Sequence, residues 1–342
     1  MLTDYLLCLF ATAPRRYQAI YYTLVGKRTT SNLYAGLAYG LLKWLQIYPN
    51  LELAQFQAEL TQLQEKGWLM VEDRQAWLTP AGADQKATLM TTLEWPTHYY
   101  GPEMGHLQQF QSRLFLAIQI MSEYSHHNTH YFPIETSMRD RVQVVSWFKQ
   151  HKQDSEMVAQ FKQELQQILT QLTPIQADLL ANRLVGHQII GQSQQQLAQK
   201  LTITPLIVTI RLLDAQAHFF AILSQHTTDY PLLAGLLSPL DAILSLSTAQ
   251  TWMLLQQGQS IETISQKRRV KLGTIREHIL ETAILQPQFP FERFISPDLE
   301  TALAALMTEM PDLTFNAAHE QLPTLDFFSY RLYQIKTKVV AA

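Results

Sequence analysis

The chain is poor in cysteine, in charge and in unbroken hydrophobic runs. Cys8 is the single cysteine among 342 residues. Intramolecular disulfides and cysteine-rich zinc sites are therefore excluded, and the usage fits a reducing cytoplasm. Charged residues make up 16% of the chain, against about 25% in an average protein. The net charge is −3, so basic surface is not general and any nucleic-acid contact must be local. No stretch approaches the roughly 18 unbroken apolar residues of a membrane span. The run Leu232–Leu246 is interrupted by Ser238, Pro239 and Asp241. The opening MLTDYLLCLFATA carries Asp4 and no early Lys or Arg, so a first core helix is expected there rather than a signal peptide.

Catalytic patterns are also missing. Val25-Gly26-Lys27-Arg28-Thr29 has a Gly-Lys pair but neither the upstream glycine nor the following hydroxyl of a phosphate-cradling loop. There is no HExxH and no GxSxG, and Gly191-Gln192-Ser193-Gln194-Gln195 lacks its final glycine. His126, His127 and His130 cluster without a carboxylate or cysteine among them, which reads as a solvated loop. The expectation is a protein that is not an enzyme, with no metal and no cofactor.

What is present is apolar, glutamine-rich and periodic at helical spacing. Hydrophobic residues reach 47%, enough for two or three cores. The pattern predicts a mainly α fold with several helix-turn-helix units, the N-terminal one winged by a small β-hairpin. Helices are expected over Tyr5–Leu24, Ser31–Tyr48 and Leu51–Glu65, then short strands at Trp68–Val71 and Ala76–Thr79 ended by Pro80 and Gly82. Further helices are expected at Met104–Tyr124, Met138–His151 and Ser155–Leu172. Pro174 stands at the start of another. Leu197–Ala198, Ile203 and Val208 have the spacing of a second helix-turn-helix. A third follows near Ser247, before prolines at 287, 290 and 297 and short helices around Leu299–Met310 and Asp326–Lys338. The implied domains are a winged-helix-like region at 1–95, a helical middle region at 96–171, a sigma-region-4-like unit at 172–246 and a C-terminal unit at 247–342.

Charge ranks the three units. DNA affinity comes mainly from neutralising phosphates, so the reading face should be basic. The first unit, over 31–86, has a net charge of −2, and the middle one of +1 with Leu206, Ile210 and Leu213 where base-reading side chains belong. The third, over 247–285, has +2. Within Ser260–Glu281, Ser260 can cap the first helix, Ile261 and Ile264 share a face, Val270 closes the turn, and Ile275 and Ile279 repeat on the second helix. Lys267, Arg268 and Arg269 are then expected as phosphate anchors. Lys271, Leu272, Gly273, Arg276 and Glu277 face the groove, with Gly273 allowing close approach and Thr274 able to cap or touch phosphate. Arg276 is the candidate for a guanine edge.

These residues carry a family resemblance. AIYYTLVGKRTTSNLYAGL is similar to a segment of the YpbB-like helix-turn-helix proteins of Gram-positive bacteria, through Ile20, Leu24, Gly26, Lys27, Arg28 and Thr29; Asn32, Leu33 and Ala35 follow more loosely. TWMLLQQGQSIETISQKRRVKLGTIREHILE resembles the helix-turn-helix at the C-terminus of many helicases. Leu254, Gly258, Ser260, Ile261, Ile264, Arg268, Val270, Lys271, Thr274, Ile275, His278 and Leu280 match. Ser265 replaces the usual alanine, and Phe328-Ser329-Tyr330-Arg331 resembles the family's final helix. The resemblance implies a non-enzymatic partner of a RecQ-type DNA helicase in recombination and repair, at the nucleoid. It adds His278, Lys27 and Arg28 to the expected DNA-binding set. The competing readings are a helix-turn-helix transcription regulator and a protein-only scaffold.

Overall fold

The computed structural model describes residues 2–237, 243–286, 288–310 and 313–340. Ser238, Pro239, Asp241 and Pro287, read above as breaks, lie outside them. The chain is mainly helical with one small antiparallel sheet, as expected. In chain order come α1 (Leu2–Leu9), β1 (Arg15–Arg16), α2 (Tyr17–Leu24), α3 (Thr30–Ala38), α4 (Leu53–Glu65), β2 (Leu69–Glu72), β3 (Gln75–Leu78), α5 (Pro80–Thr92) and α6 (Met104–Ser125). Then follow α7 (Met138–His151), α8 (Met157–Leu169), α9 (Pro174–Ala181), α10 (Gln194–Leu201), α11 (Pro205–Gln225) and α12 (Pro231–Ala234). The last are α13 (Leu246–Gln256), α14 (Ile261–Arg268), α15 (Leu272–Leu285), α16 (Pro297–Glu309), α17 (Phe315–Gln321) and α18 (Phe327–Val340). The strand order is β1-β3-β2, with Arg15 opposite Ala76 and Arg16 opposite Gln75.

Several expected elements break where local chemistry requires it. The helix expected over Tyr5–Leu24 is two helices, because Pro14 lacks the N–H a continuous ladder needs and Arg15 turns into a strand. The Ser31–Tyr48 helix stops at Ala38, before Gly40 takes φ +67°. Pro80 and Gly82 do not merely end a strand. Thr79 caps a new helix by accepting the Gly82 N–H at 3.0 Å, and Pro80 occupies its first position.

Contacts divide the chain into two compact units that are discontinuous in sequence. One comprises Met1–Ala13, Ala54–Val71 and Trp77–Asp241; the other comprises Pro14–Leu53, Glu72–Ala76 and Ala242–Ala342. In the first, α1 packs on α5, and α11 packs on α6, α8, α9 and α10. Val208, Leu212, Ala215, Phe219 and Leu223 of α11 face the core at helical spacing, with Phe110, Phe161 and Leu197 among their neighbours. Half of the most apolar stretch of α11 is buried, although its length and composition would let it cross a membrane. In the second unit, α15 packs on α13, α14 and α18, and α3 lies against both α15 and α18. Its core joins Leu33 and Leu45 to Ile264, Ile275, Ile279 and Leu332.

In the middle helix-turn-helix, α10–α11, residues 94–99 of the same unit pack over α11 from Ile210 onward, while Thr202 and Pro205 at its start are exposed. The Asp214 carboxylate on α11 accepts the N–H groups of Thr97, His98 and Tyr99 at 2.7, 2.6 and 3.1 Å. Arg211 grips Glu94 through two bonds of 2.7 and 2.8 Å. His98 stacks on His218 with ring centroids 3.7 Å apart, and burial lowers the His218 pKa. Residues 94–99 thus form a strap over α11. Asp214→Ala should leave three N–H groups without their acceptor. A loss of at least about 2–3 kcal/mol in urea unfolding is expected, because three bonds are lost and a single hydrogen bond to a charged group is worth about 1.5–3 kcal/mol. Hydrogen exchange at residues 97–99 should accelerate with it; unchanged exchange would show that the strap is held some other way.

Candidate nucleic-acid interface

The two helix-turn-helix units share one backbone device. In the middle unit, Ser193 caps α10 and Thr202 ends it in the left-handed region; Ile203 then donates its N–H to the Ala198 carbonyl at 3.0 Å. In the C-terminal unit, Ser260 caps α14, Arg269 takes φ +55°, and Val270 donates to the Ser265 carbonyl at 3.1 Å. Leu197 and Ile264 sit at the same place in the two frames, and both are fully buried. Ser265 strengthens the turn, because its hydroxyl donates back to the Val270 carbonyl at 2.6 Å.

The frames differ at the start of the second helix. Thr204 caps α11 by accepting the Ile207 N–H. The corresponding residue before α15 is Lys271, which provides no side-chain cap. A lysine there forgoes about 1 kcal/mol of capping and sets a cation at the positive end of the helix dipole. Thr274 does not cap either. It lies exposed in the first turn, its N–H bonded to the Lys271 carbonyl at 2.9 Å. Gly273 is also exposed, and a Cβ added there would meet nothing within 4 Å. Folding does not require this glycine, so its surface stands open to a ligand.

The basic residues separate into two groups. Lys267, Arg269 and Lys271 are exposed, and their side chains make no hydrogen bond or ion pair among the described residues. Arg268 is spent inside the domain. Its guanidinium donates to the Ser247 carbonyl at 2.7 Å, the Ser247 hydroxyl at 3.0 Å and Gln250 Oε1 at 3.1 Å, and also to Thr251 Oγ1. Burial lowers its pKa. His278 is buried too, with Nδ1 hydrogen-bonded to Thr251 Oγ1 at 2.8 Å. Burial first, and then the Arg268 charge, depress its pKa, so the imidazole is neutral at pH 7. The structure therefore corrects the reading of Arg268 as a phosphate anchor and of His278 as a contact: both clamp α14 and α15 onto α13.

Arg276, the expected base reader, is half exposed and engaged. It pairs with Asp326 at 3.2 Å and lies over the Phe328 ring at 5.5 Å. Asp326 itself caps α18 by accepting the Ser329 N–H at 2.8 Å. Glu277 is exposed, and its carbonyl accepts the Thr30 hydroxyl at 3.5 Å.

Lys27 and Arg28 also part company. Gly26, at φ +82°, has Gln46 atoms 2.7 Å from where a Cβ would stand, so only glycine fits this turn. Lys27 is exposed and its ammonium lies 4.1 Å above the Tyr22 ring. Arg28 instead donates to the Ile243 carbonyl, immediately before α13. Burial lowers its pKa while the Glu281 charge opposes that shift. This corrects the expectation of a DNA contact at Arg28.

Glu281, absent from the expected set, organises the same region. Its buried carboxylate accepts the Ser245 N–H at 3.1 Å and the Thr248 hydroxyl at 2.7 Å, at the N-terminus of α13. It occupies the position that Asp214 holds in the middle unit. A carboxylate inside the run Ile279-Leu280-Glu281-Thr282-Ala283-Ile284 was the available signal, because a buried charge demands partners. The histidines at 126, 127 and 130 belong to the first unit. His126 stacks on His187, and among the described residues no group of His, Cys, Asp or Glu is placed to hold a metal ion.

Arg28→Ala should destabilise the chain by about 1.5–3 kcal/mol through loss of a buried charge-assisted bond. Lys27→Ala, an exposed change, should stay within about 0.5 kcal/mol of the parent. Denaturant unfolding of both variants checks this; equal stability would contradict the structural role given to Arg28.

Residues 247–334 match the family described as a helix-turn-helix domain. The chain is also 26% identical to Protein YpbB of Bacillus subtilis (strain 168) over 300 residues, covering 85% of this chain and 84% of that protein. No solved structure matches. The matched domain spans α13 to α18, the elements that position Lys267, Arg269 and Lys271. The chain is thus similar to Protein YpbB along most of its length and carries a C-terminal helix-turn-helix domain.

Proposed function

We propose that this protein is a non-enzymatic adaptor that binds DNA through α14–α15 and serves a RecQ-type helicase in recombination and repair. The observation that carries the DNA half is the open, basic turn. Lys267, Arg269 and Lys271 are exposed without partners among the described residues, and Gly273 beside them leaves the start of α15 unobstructed. Phosphate contacts from such cations position a protein without reading sequence. Arg276 would have to leave Asp326 to reach a base edge, which favours backbone binding over operator recognition. The strap over α11 and the acidic segment 31–86 support a protein-facing role for the rest of the chain. The helicase half rests on the family resemblance at both ends of the sequence and on the missing nucleotide-binding loop, which leaves the work to a separate motor. The single cysteine and the DNA reading together support a cytoplasmic location, at the nucleoid.

The sharpest test uses Lys271, where folding and binding have opposite interests. Lys271→Ser restores a capping hydroxyl and should raise stability by about 0.5–1 kcal/mol. It should weaken duplex DNA binding in fluorescence anisotropy across unrelated sequences. Replacing Lys267, Arg269 and Lys271 together by Ala should flatten the salt dependence of binding by about three units of log–log slope. DNA affinity unchanged by that triple replacement would eliminate the DNA reading and leave a protein scaffold. Co-purification from native extract, with and without nuclease, tests the helicase: no co-elution and no effect on unwinding would remove that partner.

A further inference from the structure

The first unit carries an apolar row that nothing within it covers. Phe132, Met138, Val142 and Val145 are 97%, 74%, 61% and 37% exposed, four large apolar side chains within one short segment. Met138, Val142 and Val145 follow i, i+4, i+7 spacing, so they form one stripe along α7. The opposite face of α7 is fixed. Val144 and Trp147 are buried, Trp147 Nε1 donates to the Leu232 carbonyl at 3.0 Å, and Asp140 meets the fully buried Arg113 at 3.0 Å. Phe132 is held out by a fastened backbone. Gln119 donates to its carbonyl at 3.0 Å and accepts the Ile134 N–H at 2.8 Å. The row is therefore rigid before anything binds.

Along α7 its borders are cationic, and Glu135 is the one exposed carboxylate between Phe132 and Met138. Arg139, Arg141, Lys149 and Lys152 are all exposed, and none makes an ion pair among the described residues. Lys149 continues the row beyond Val145, while Arg139 and Arg141 lie on its two sides. The only carboxylate on α7 is Asp140, which is buried against Arg113. An apolar row of this kind does not suit phosphates, whose partners are cations and amides. It suits an amphipathic helix that lays leucine-type anchors along the stripe and carboxylates along the basic borders.

We propose that the exposed face of α7, with Phe132 at its N-terminal approach, is the docking surface for an acidic amphipathic segment of a partner protein. This extends the adaptor reading by naming a surface and the chemistry of its partner. The test contains neither DNA nor helicase, so it can fail while that reading stands, and the reverse.

The probe is a labelled synthetic helix with leucines at i, i+3, i+4 and i+7 and glutamates on the flanks, titrated with the full chain. A lysine-flanked version and phosphatidylglycerol vesicles are run beside it. The acidic helix should bind and weaken with added salt, and the lysine version should not bind. Val142→Glu should reduce affinity at least tenfold. The double replacement Arg141→Glu and Lys149→Glu, on the solvent face, should do the same and transfer preference to the lysine version. Thermal melts of both variants should match the parent; if Val142→Glu alone melts early, the double replacement decides. Failure of the acidic helix to bind, or binding unaffected by the double replacement, overturns the proposal. So does capture on the vesicles, lost in the same variants, without peptide binding.

Discussion

The C-terminal domain depends on one buried carboxylate. Glu281 sits at the N-terminus of α13, where the unpaired N–H groups of a helix make the local potential positive. It fixes α15 against α13, and Arg28 secures the chain just ahead of the same point. Arg268 and His278 continue the polar seam through Thr251 and Ser247. Glu281, Thr251, Arg268 and His278 are each hydrogen-bonded within this seam, which is the condition under which buried polar groups specify one arrangement rather than weaken it. The angle at which α15 projects its first turn follows from that seam. The middle unit uses Asp214 in the same way, with the strap of residues 97–99 as its ligand.

A shared frame with different surfaces underlies the proposed division of labour. Both units end the first helix with a left-handed residue, and both close the turn with an N–H to a carbonyl five residues back. One then buries Ile210 and engages Arg211 and Asp214 beneath the strap. The other leaves Lys271, Leu272, Gly273 and Thr274 exposed. Arg269 in a left-handed conformation and Lys271 at an N-cap are both poor choices for stability. Two unfavourable choices side by side, both cationic and both exposed, point to selection for something outside the fold.

Much of this was legible in the sequence, for local reasons. Ser260, Ile264, Val270 and Ile275 announce caps, a buried face and a turn, because each acts on neighbours within a few residues. Met138–His151 and the helix starting at Pro174 were read the same way. What stayed hidden was long-range. Lys267-Arg268-Arg269 looks like one basic run, yet the middle residue turns inward to a helix about twenty positions earlier, while its neighbours face solvent. Arg28 finds a carbonyl at residue 243, and no periodicity reports such a distance. The strap over α11 is likewise a contact between residues 97–99 and 214. Composition records how many cations a segment has, and only packing determines which of them are already in use.

Under the proposed function the turn from Lys267 to Arg276 faces DNA and the related turn in α10–α11 does not. Hydrogen–deuterium exchange of the full chain with and without a duplex tests it most directly. Slowed exchange is expected at the amides of residues 269–276, with no change at 202–209. Protection at 202–209, or none at 269–276 under saturating DNA, would contradict it.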